Sequence, residues 1–255
     1  MSDLLTRLCV DVCSAGISAA AISPVIFVID KSIMEATSGK ANSIKASIKA
    51  STTSFLTKPR AFLSSVPFLL LYSVYTATYC TANIVDTVSH IDAKDAQSWA
   101  RQTTGYGKFL ATTTVNLSAC VYKDMRYAKF YGVGAPRKMP LASLMLFSAR
   151  DSLTVFASFN IPVLLAPMLG LNVAQILTPC AMQFISTPLH LLGLDIYNRT
   201  GQTMQNRLVT VRAGYWRSSF ARICRILPAF GVGGVLNRNL REAGMVRASA
   251  VPSLS

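Results

Sequence analysis

Arg150 and Asp151 stand side by side in an otherwise uncharged stretch, Ser148-Ala-Arg-Asp-Ser-Leu-Thr154. A charged pair inside an apolar helix is costly, and it faces a cavity or a partner rather than hydrocarbon. A guanidinium grips a carboxylate through two parallel hydrogen bonds. An aspartate in turn attracts an amine. Such a pair has the chemistry to hold a zwitterion. The plain alternative is a salt bridge with a structural role only.

Other charges cluster where apolar stretches end. Asp195 lies one helical turn before Arg199, the spacing of an ion pair on one helix face. Lys123-Asp124-x-Arg126 has the charges to meet Asp195 and Arg199 from another helix, as a makeshift gate. His190 sits on an apolar face, where a helix–helix hydrogen bond is expected rather than a proton relay.

Reaction chemistry finds little support. His90 and His190 are the two histidines of the chain, so no Ser-His-Asp or Cys-His arrangement is credible. The cysteines at 9, 13, 80, 120, 180 and 224 are scattered. Cys9 and Cys13 are one turn apart, but no histidine lies nearby to complete a metal site. Buried free thiols are expected rather than a disulfide framework. Gly231-Val-Gly-Gly234 follows no strand, so it is no dinucleotide loop; small residues there permit close helix contact. Gly39-Lys40 lacks the earlier glycine of a phosphate loop, because Met34 holds that place. Asn198-Arg-Thr200 matches a glycosylation sequon but falls in a basic loop. No enzyme activity, cofactor or metal is expected.

Composition names the elements that must position these residues. Of 255 residues 51% are hydrophobic and 14% charged, against roughly 25% charged in soluble domains. Val12–Ile29, Ala61–Val85 and Ser152–Leu194 run for 18, 25 and 43 residues without Asp, Glu, Lys or Arg. About 20 such residues cross a bilayer. Phe109–Tyr122 and Ile226–Asn237 are shorter, and span if flanking Lys and Arg snorkel or if they line a wet interior. The pattern predicts six helices: Leu4–Met34, Ala61–Val88, Gly105–Phe130, Leu141–Leu165, Leu171–Asn198 and Phe220–Arg241. Ser43–Phe55, with Lys45 and Lys49 four apart, suits a helix lying on the membrane surface. Gln202–Trp216 suits the same role.

The net charge of +14 is unevenly placed. The loops 31–60, 123–138 and 199–225 hold 6, 5 and 6 of the 25 basic residues. Lys- and Arg-rich loops mark one side of a membrane. On the other side fall Asp86–Lys108, a short turn near Met168–Gly170 and both termini. In Asp86–Lys108 three aspartates, Asp86, Asp92 and Asp95, offset Lys94, Arg101 and Lys108. Anionic lipid headgroups are the natural partner of such loops. Nucleic acid is not expected, because no aromatic platform is interleaved with the charge. Helix, basic loop and helix recur three times, giving one domain with repeats near 1–100, 101–168 and 169–255. Pro24 and Pro188 sit in the first and fifth helices shortly before a basic loop, where they kink the helix. Pro67 and Pro228 lie near the starts of the second and sixth helices, where proline costs little. No secretory signal or acid-free transit peptide is evident, so any organelle address is expected to be internal.

Kinking prolines in odd helices, three helical pairs and surface helices on one basic side resemble the mitochondrial carrier family. The likeness covers nearly the whole chain. It is clearest in Ser186-Thr-Pro-Leu-His-Leu-Leu-Gly193 and Phe220-Ala-Arg-Ile-Cys-Arg-Ile-Leu-Pro-Ala-Phe230. The resemblance implies an all-α membrane protein with six transmembrane helices in three pseudo-symmetric pairs. It also implies a mitochondrial membrane, inner rather than outer, with an anionic lipid such as cardiolipin. In that family each odd helix carries Pro-x-acidic-x-x-basic. Here Pro24 and Pro188 remain, but Ile26 and His190 replace the acids, and Ile29 and Gly193 the bases. The third helix has no proline around Asn116–Tyr122. A second family motif, aromatic-acidic-x-x-basic, closes the even helices. The sixth helix offers Asn237-Arg238-Asn-Leu-Arg241, with arginine where an acid belongs, and the fourth offers Pro162-Val163. Neither ring of gate charges is therefore expected to form.

In carriers of amino-acid-like solutes an Arg–acid pair contacts substrate at the level of Arg150 and Asp151. The resemblance places Arg225 at the matching point of the sixth helix, so Arg150, Asp151 and Arg225 form the implied binding set. The missing gate charges favour a structural or assembly component of a larger mitochondrial membrane complex. The alternative is a solute transporter for a small carboxylate or amino acid.

Overall fold

The computed structural model describes residues 2–37, 43–93, 95–131, 139–199 and 201–250. Gly39, Lys40, Lys94 and Thr200, all named above, lie outside the described residues, as does the end of the basic loop 123–138 from residue 132 on. The described chain is all-helical, with 90% helix and no strand among the described residues.

Local sequence explains the boundaries. Helix α1 (Ser2–Thr37) carries Pro24 in its interior. Helix α2 (Ile44–Thr57) begins at Ser43, whose hydroxyl accepts the Ala46 N–H over 3.2 Å as an N-cap. A helix was expected over Ser43–Phe55. A short α3 (Pro59–Leu63) precedes α4 (Val66–Ser89), which has Pro67 in its first turn as expected. Asp95 caps α5 (Ala96–Ala100) by accepting the Ser98 N–H at 2.8 Å. That hydrogen bond holds the Asp95 carboxyl below the usual carboxylate range. Next come α6 (Tyr106–Tyr131), α7 (Leu141–Phe159), α8 (Ile161–Leu169), α9 (Leu171–Asn198), α10 (Met204–Ile226) and α11 (Gly233–Ser249). Helix α9 contains Pro188 and also Pro179.

Two predicted helices differ from the sequence pattern. The fourth breaks at Asn160, and α7 and α8 meet at a bend of 43°. Pro162 stands in the first turn of α8, where a missing N–H is harmless. The sixth begins at Met204, so the predicted surface helix Gln202–Trp216 is the front half of α10. Pro228 is not near a helix start. It lies within a continuous helical run, which absorbs it through a π-helical turn, Leu227–Val232. Among the described residues, three helical runs are long and apolar enough to cross a membrane: Asp3–Ser32, Val66–Ser89 and Met204–Ser249. The bent pair α7–α8 makes a fourth if it is one span.

The long helices pack in sequence order and close on themselves. Helix α1 packs on α4, α4 on α6, α6 on α7, α7 on α9, α9 on α10, and α11 returns to α1. Where α1, α4 and the π turn meet, Phe27, Phe68, Tyr75, Tyr79 and Phe230 form a buried aromatic cluster.

Polarity is inverted relative to a water-soluble fold. Asp11, Asp86, Lys108, Lys123 and Arg241 are buried, while Leu141 is 71% exposed and Met168 81%. Exposed apolar surface on this scale is unfavourable in water and favourable in hydrocarbon. The six cysteines are free, and Cys9, Cys13 and Cys224 are exposed rather than buried as expected. They belong to the same apolar exterior.

Candidate functional site

The buried charges fall into two layers. The first lies where the ends of α1 and α11 meet the segment that follows α4. Arg241 on α11 pairs with Asp11 on α1 at 2.7 Å, and also donates to the Thr87 hydroxyl and the Trp99 and Ala100 carbonyls. Lys108 on α6 reaches both oxygens of Asp86 on α4, at 2.8 and 2.9 Å. Arg7 donates to the Thr87, His90 and Ile91 carbonyls and stacks over the Trp99 ring. Asn83 and Asn237 exchange two hydrogen bonds of 3.0 and 2.8 Å. This layer is sealed: the Asp11 and Arg241 side chains keep 0% and 2% of their exposure.

The second layer lies toward the predicted basic loops. Asp30 on α1 meets Lys123 on α6 at 3.3 Å and Arg225 on α10 at 2.8 Å. Lys123 also reaches Asp124 at 2.8 Å. On α7, Arg150 forms a two-pronged pair with its neighbour Asp151, at 2.8 and 2.6 Å. The Arg150 Nη1 atom lies 2.9 Å from Nδ1 of His190 on α9. Arg222 on α10 donates to Gln183 Oε1 at 2.7 Å and to Ser186 Oγ at 3.0 Å, both on α9. Unlike the first layer, this one is partly open, with 15% exposure at Arg150, 25% at Asp151 and 35% at Arg225.

The helices fix the distance between the layers. Asp11 and Asp30 are 19 residues apart on α1, and Lys108 and Lys123 are 15 apart on α6. At 1.5 Å per residue these intervals span about 28 and 22 Å. The hydrocarbon core of a bilayer is about 30 Å thick. One sealed and one half-open charged layer, separated by nearly that distance, can shut a pathway at one face while leaving it accessible from the other.

Sequence reasoning placed some of these residues correctly and scattered others. Arg150 and Asp151 are paired, and His190 makes a helix–helix contact, as expected. Arg225 does not join Arg150 and Asp151 in one set; its carboxylate is Asp30. Arg150 and Arg225 are nonetheless each close enough to Arg222 to repel it. The makeshift gate is not what the structure builds. Lys123 goes to Asp30, whereas Asp195 holds Arg199 on its own helix and Arg207 on α10, the latter at 2.7 Å. Pro24 and Pro188 lie inside their helices as predicted. The ion pairs of the two layers are drawn from residues outside the two family motifs, with the exception of Arg241, the basic position of the second motif. Asp11, Asp30, Asp86, Arg222 and Arg241 were missed as site residues. The available signal was an aspartate within or beside an apolar stretch, at Asp11, Asp30 and Asp86.

Two cavities accompany the layers. One, with room for roughly a single water, lies among Asn83, Asp86, Lys108 and Gln175 in the sealed layer. The other, about 340 Å³, is lined by Phe27, Lys31, Lys58, Phe62 and Tyr131 near the α2–α3 corner. Neither is lined by Arg150 or Arg225.

The family model described as probable citrulline exporter matches residues 14–245. No curated protein and no solved structure matches the chain. The match overturns the resemblance to mitochondrial carriers. The shared features, proline-bearing helices, basic loops and surface helices, are what bilayer physics asks of many helical membrane proteins. The charged motif residues that set carriers apart were absent from the start. The mitochondrial placement rested on that resemblance and goes with it.

Proposed function

The chain belongs to the probable citrulline exporter family, and from that membership we propose that it is a multi-pass membrane transporter carrying citrulline or a closely similar neutral amino acid out of a compartment. Citrulline is a zwitterion with an uncharged ureido end. The second layer offers matching chemistry. Arg150 is placed to take the α-carboxylate and Asp151 the ammonium. The solute is moved without chemical change.

The observation that carries this reading is the half-open Arg150–Asp151 pair in the interior layer, opposite a sealed layer nearly one hydrocarbon thickness away. Alternating access requires two states, each held by its own contacts. Asp11–Arg241 and Asp86–Lys108 would hold one side closed, and Asp30 with Lys123 and Arg225 the other. The preference for a structural component rested on missing gate charges, and the two layers remove that ground. The transporter alternative is the one the family supports in kind.

In this reading α6 and α9 also cross the bilayer, which gives six passes in three consecutive pairs and a single domain with repeats near 1–100, 101–168 and 169–255. The closed packing order of the helices and exposed Leu110, Val121, Leu177 and Ile185 on α6 and α9 support it. The basic loops would rest on anionic headgroups.

Labelled citrulline uptake into proteoliposomes preloaded with unlabelled citrulline tests the proposal. Uptake well above that of protein-free vesicles, abolished by Arg150→Ala, is expected. A wild-type protein that moves no citrulline in either direction would defeat it.

A further inference from the structure

The half-open layer holds one more cation than carboxylate among the described residues. Arg150 pairs with Asp151, Arg225 with Asp30, and Lys123 with Asp124 as well as Asp30. Arg222 is left with the neutral Gln183 and Ser186, both fully buried. Arg150 and Arg225 both repel it, each more strongly than Asp151 attracts it. An uncompensated cation in such surroundings is unfavourable. A second observation points the same way. The Nε atom of Arg222 is a buried donor with no hydrogen-bond partner, and unmade bonds to charged groups are costly. A zwitterion bound to this layer adds no net charge and leaves the imbalance in place.

We infer that the layer takes a compact oxyanion, a carboxylate or a phosphate, at Arg222 between α9 and α10, in addition to the amino acid. One negative charge matches the one unpaired cation, and the oxyanion accepts from the idle Arg222 Nε once the side chain turns toward it. The anion binds inside the helix ring, because Gln183 and Ser186, which position Arg222, have no exposed surface. It would travel with the amino acid or return in exchange for it. Only this coupling rests on the transport reading; the binding site does not.

The test is the thermal stability of the detergent-purified full chain, titrated with sodium acetate and with sodium phosphate against sodium chloride at equal ionic strength. The expected result is saturable stabilisation by at least one oxyanion beyond chloride. The half-saturating concentration should rise at least tenfold in Arg222→Gln and stay near wild type in Arg222→Lys. Arg217→Gln, a change at an exposed arginine, should respond as wild type does. An acetate-only response identifies a carboxylate site, and a phosphate-only response a phosphate site. An unchanged response in Arg222→Gln overturns the inference, as does an equal loss in Arg217→Gln. Citrulline added at saturating oxyanion separates the two readings. Additive stabilisation supports a distinct anion site. Competition overturns that site and leaves the transporter standing. A response to oxyanion, with neither stabilisation nor uptake by citrulline, sinks the transporter and leaves the anion site.

Discussion

Arg241 and Asp11 are 230 residues apart in the sequence and 2.7 Å apart in the structure. Their ion pair joins the last helix to the first and closes the ring at its sealed end.

Removing one partner of a buried pair leaves the other charge stranded. Arg241→Ala should therefore lower stability by roughly 3–5 kcal/mol. Replacing both residues, as Asp11→Leu with Arg241→Met, should recover much of that loss. Thermal unfolding in detergent measures both. If the double replacement is no better than the single one, the pair is not the element being lost.

The π turn depends on two side chains from other helices. The Gly233 N–H goes to the Pro228 carbonyl, one residue further back than in an α-helix. The Ala229 and Phe230 carbonyls are then met by the Tyr79 hydroxyl and by Gln175, respectively. Tyr79→Phe strips a buried carbonyl of its donor and should cost about 1–3 kcal/mol. Gln175→Leu should cost at least as much, because Gln175 also serves the Ser158 carbonyl at the α7–α8 bend. Unfolding curves of the two variants provide the comparison.

Gly244 lets α11 lie directly on α1. A Cβ at this position would come within 2.6 Å of Val10 Cγ1. Valine is stiff and cannot swing aside, so Gly244→Ala should cost about 1–3 kcal/mol through overpacking. Val10→Ala should restore stability in the double variant. A rescue of that kind, read by thermal unfolding, ties the cost to this one contact.

Asp151→Asn keeps the shape of the half-open layer and deletes the proposed ammonium partner. Citrulline uptake should fall at least about tenfold, the equivalent of 1.4 kcal/mol. The amount of folded protein, judged by size-exclusion profile, should stay at the wild-type level. Undiminished uptake would remove Asp151 from the binding set.

What could be read in the sequence followed local rules. Ser43 and the spacing of Lys45 and Lys49 marked α2, and long uncharged stretches marked α1 and α4. The adjacency of Arg150 and Asp151 made their pairing plain. What escaped depended on tertiary geometry. Arg207, Arg212 and Arg217 gave the front of α10 the look of a surface segment, yet Arg207 turns inward to Asp195. Asp30 gave no sign of its partners, which come from α6 and α10. The resemblance to carriers went astray through weighting general membrane features above the motif charges that were missing.

The π turn at 227–232 has a further effect, on azimuth. Each residue of an α-helix advances the chain by about 100°, so the one residue a π bulge adds rotates all of α11 about its own axis. Asn237 and Arg241 face Asn83 and Asp11 only because of that rotation. Deleting a single residue from the turn would keep α11 helical and swing both side chains toward lipid. The surplus residue thus sets the register of the entire sealed end.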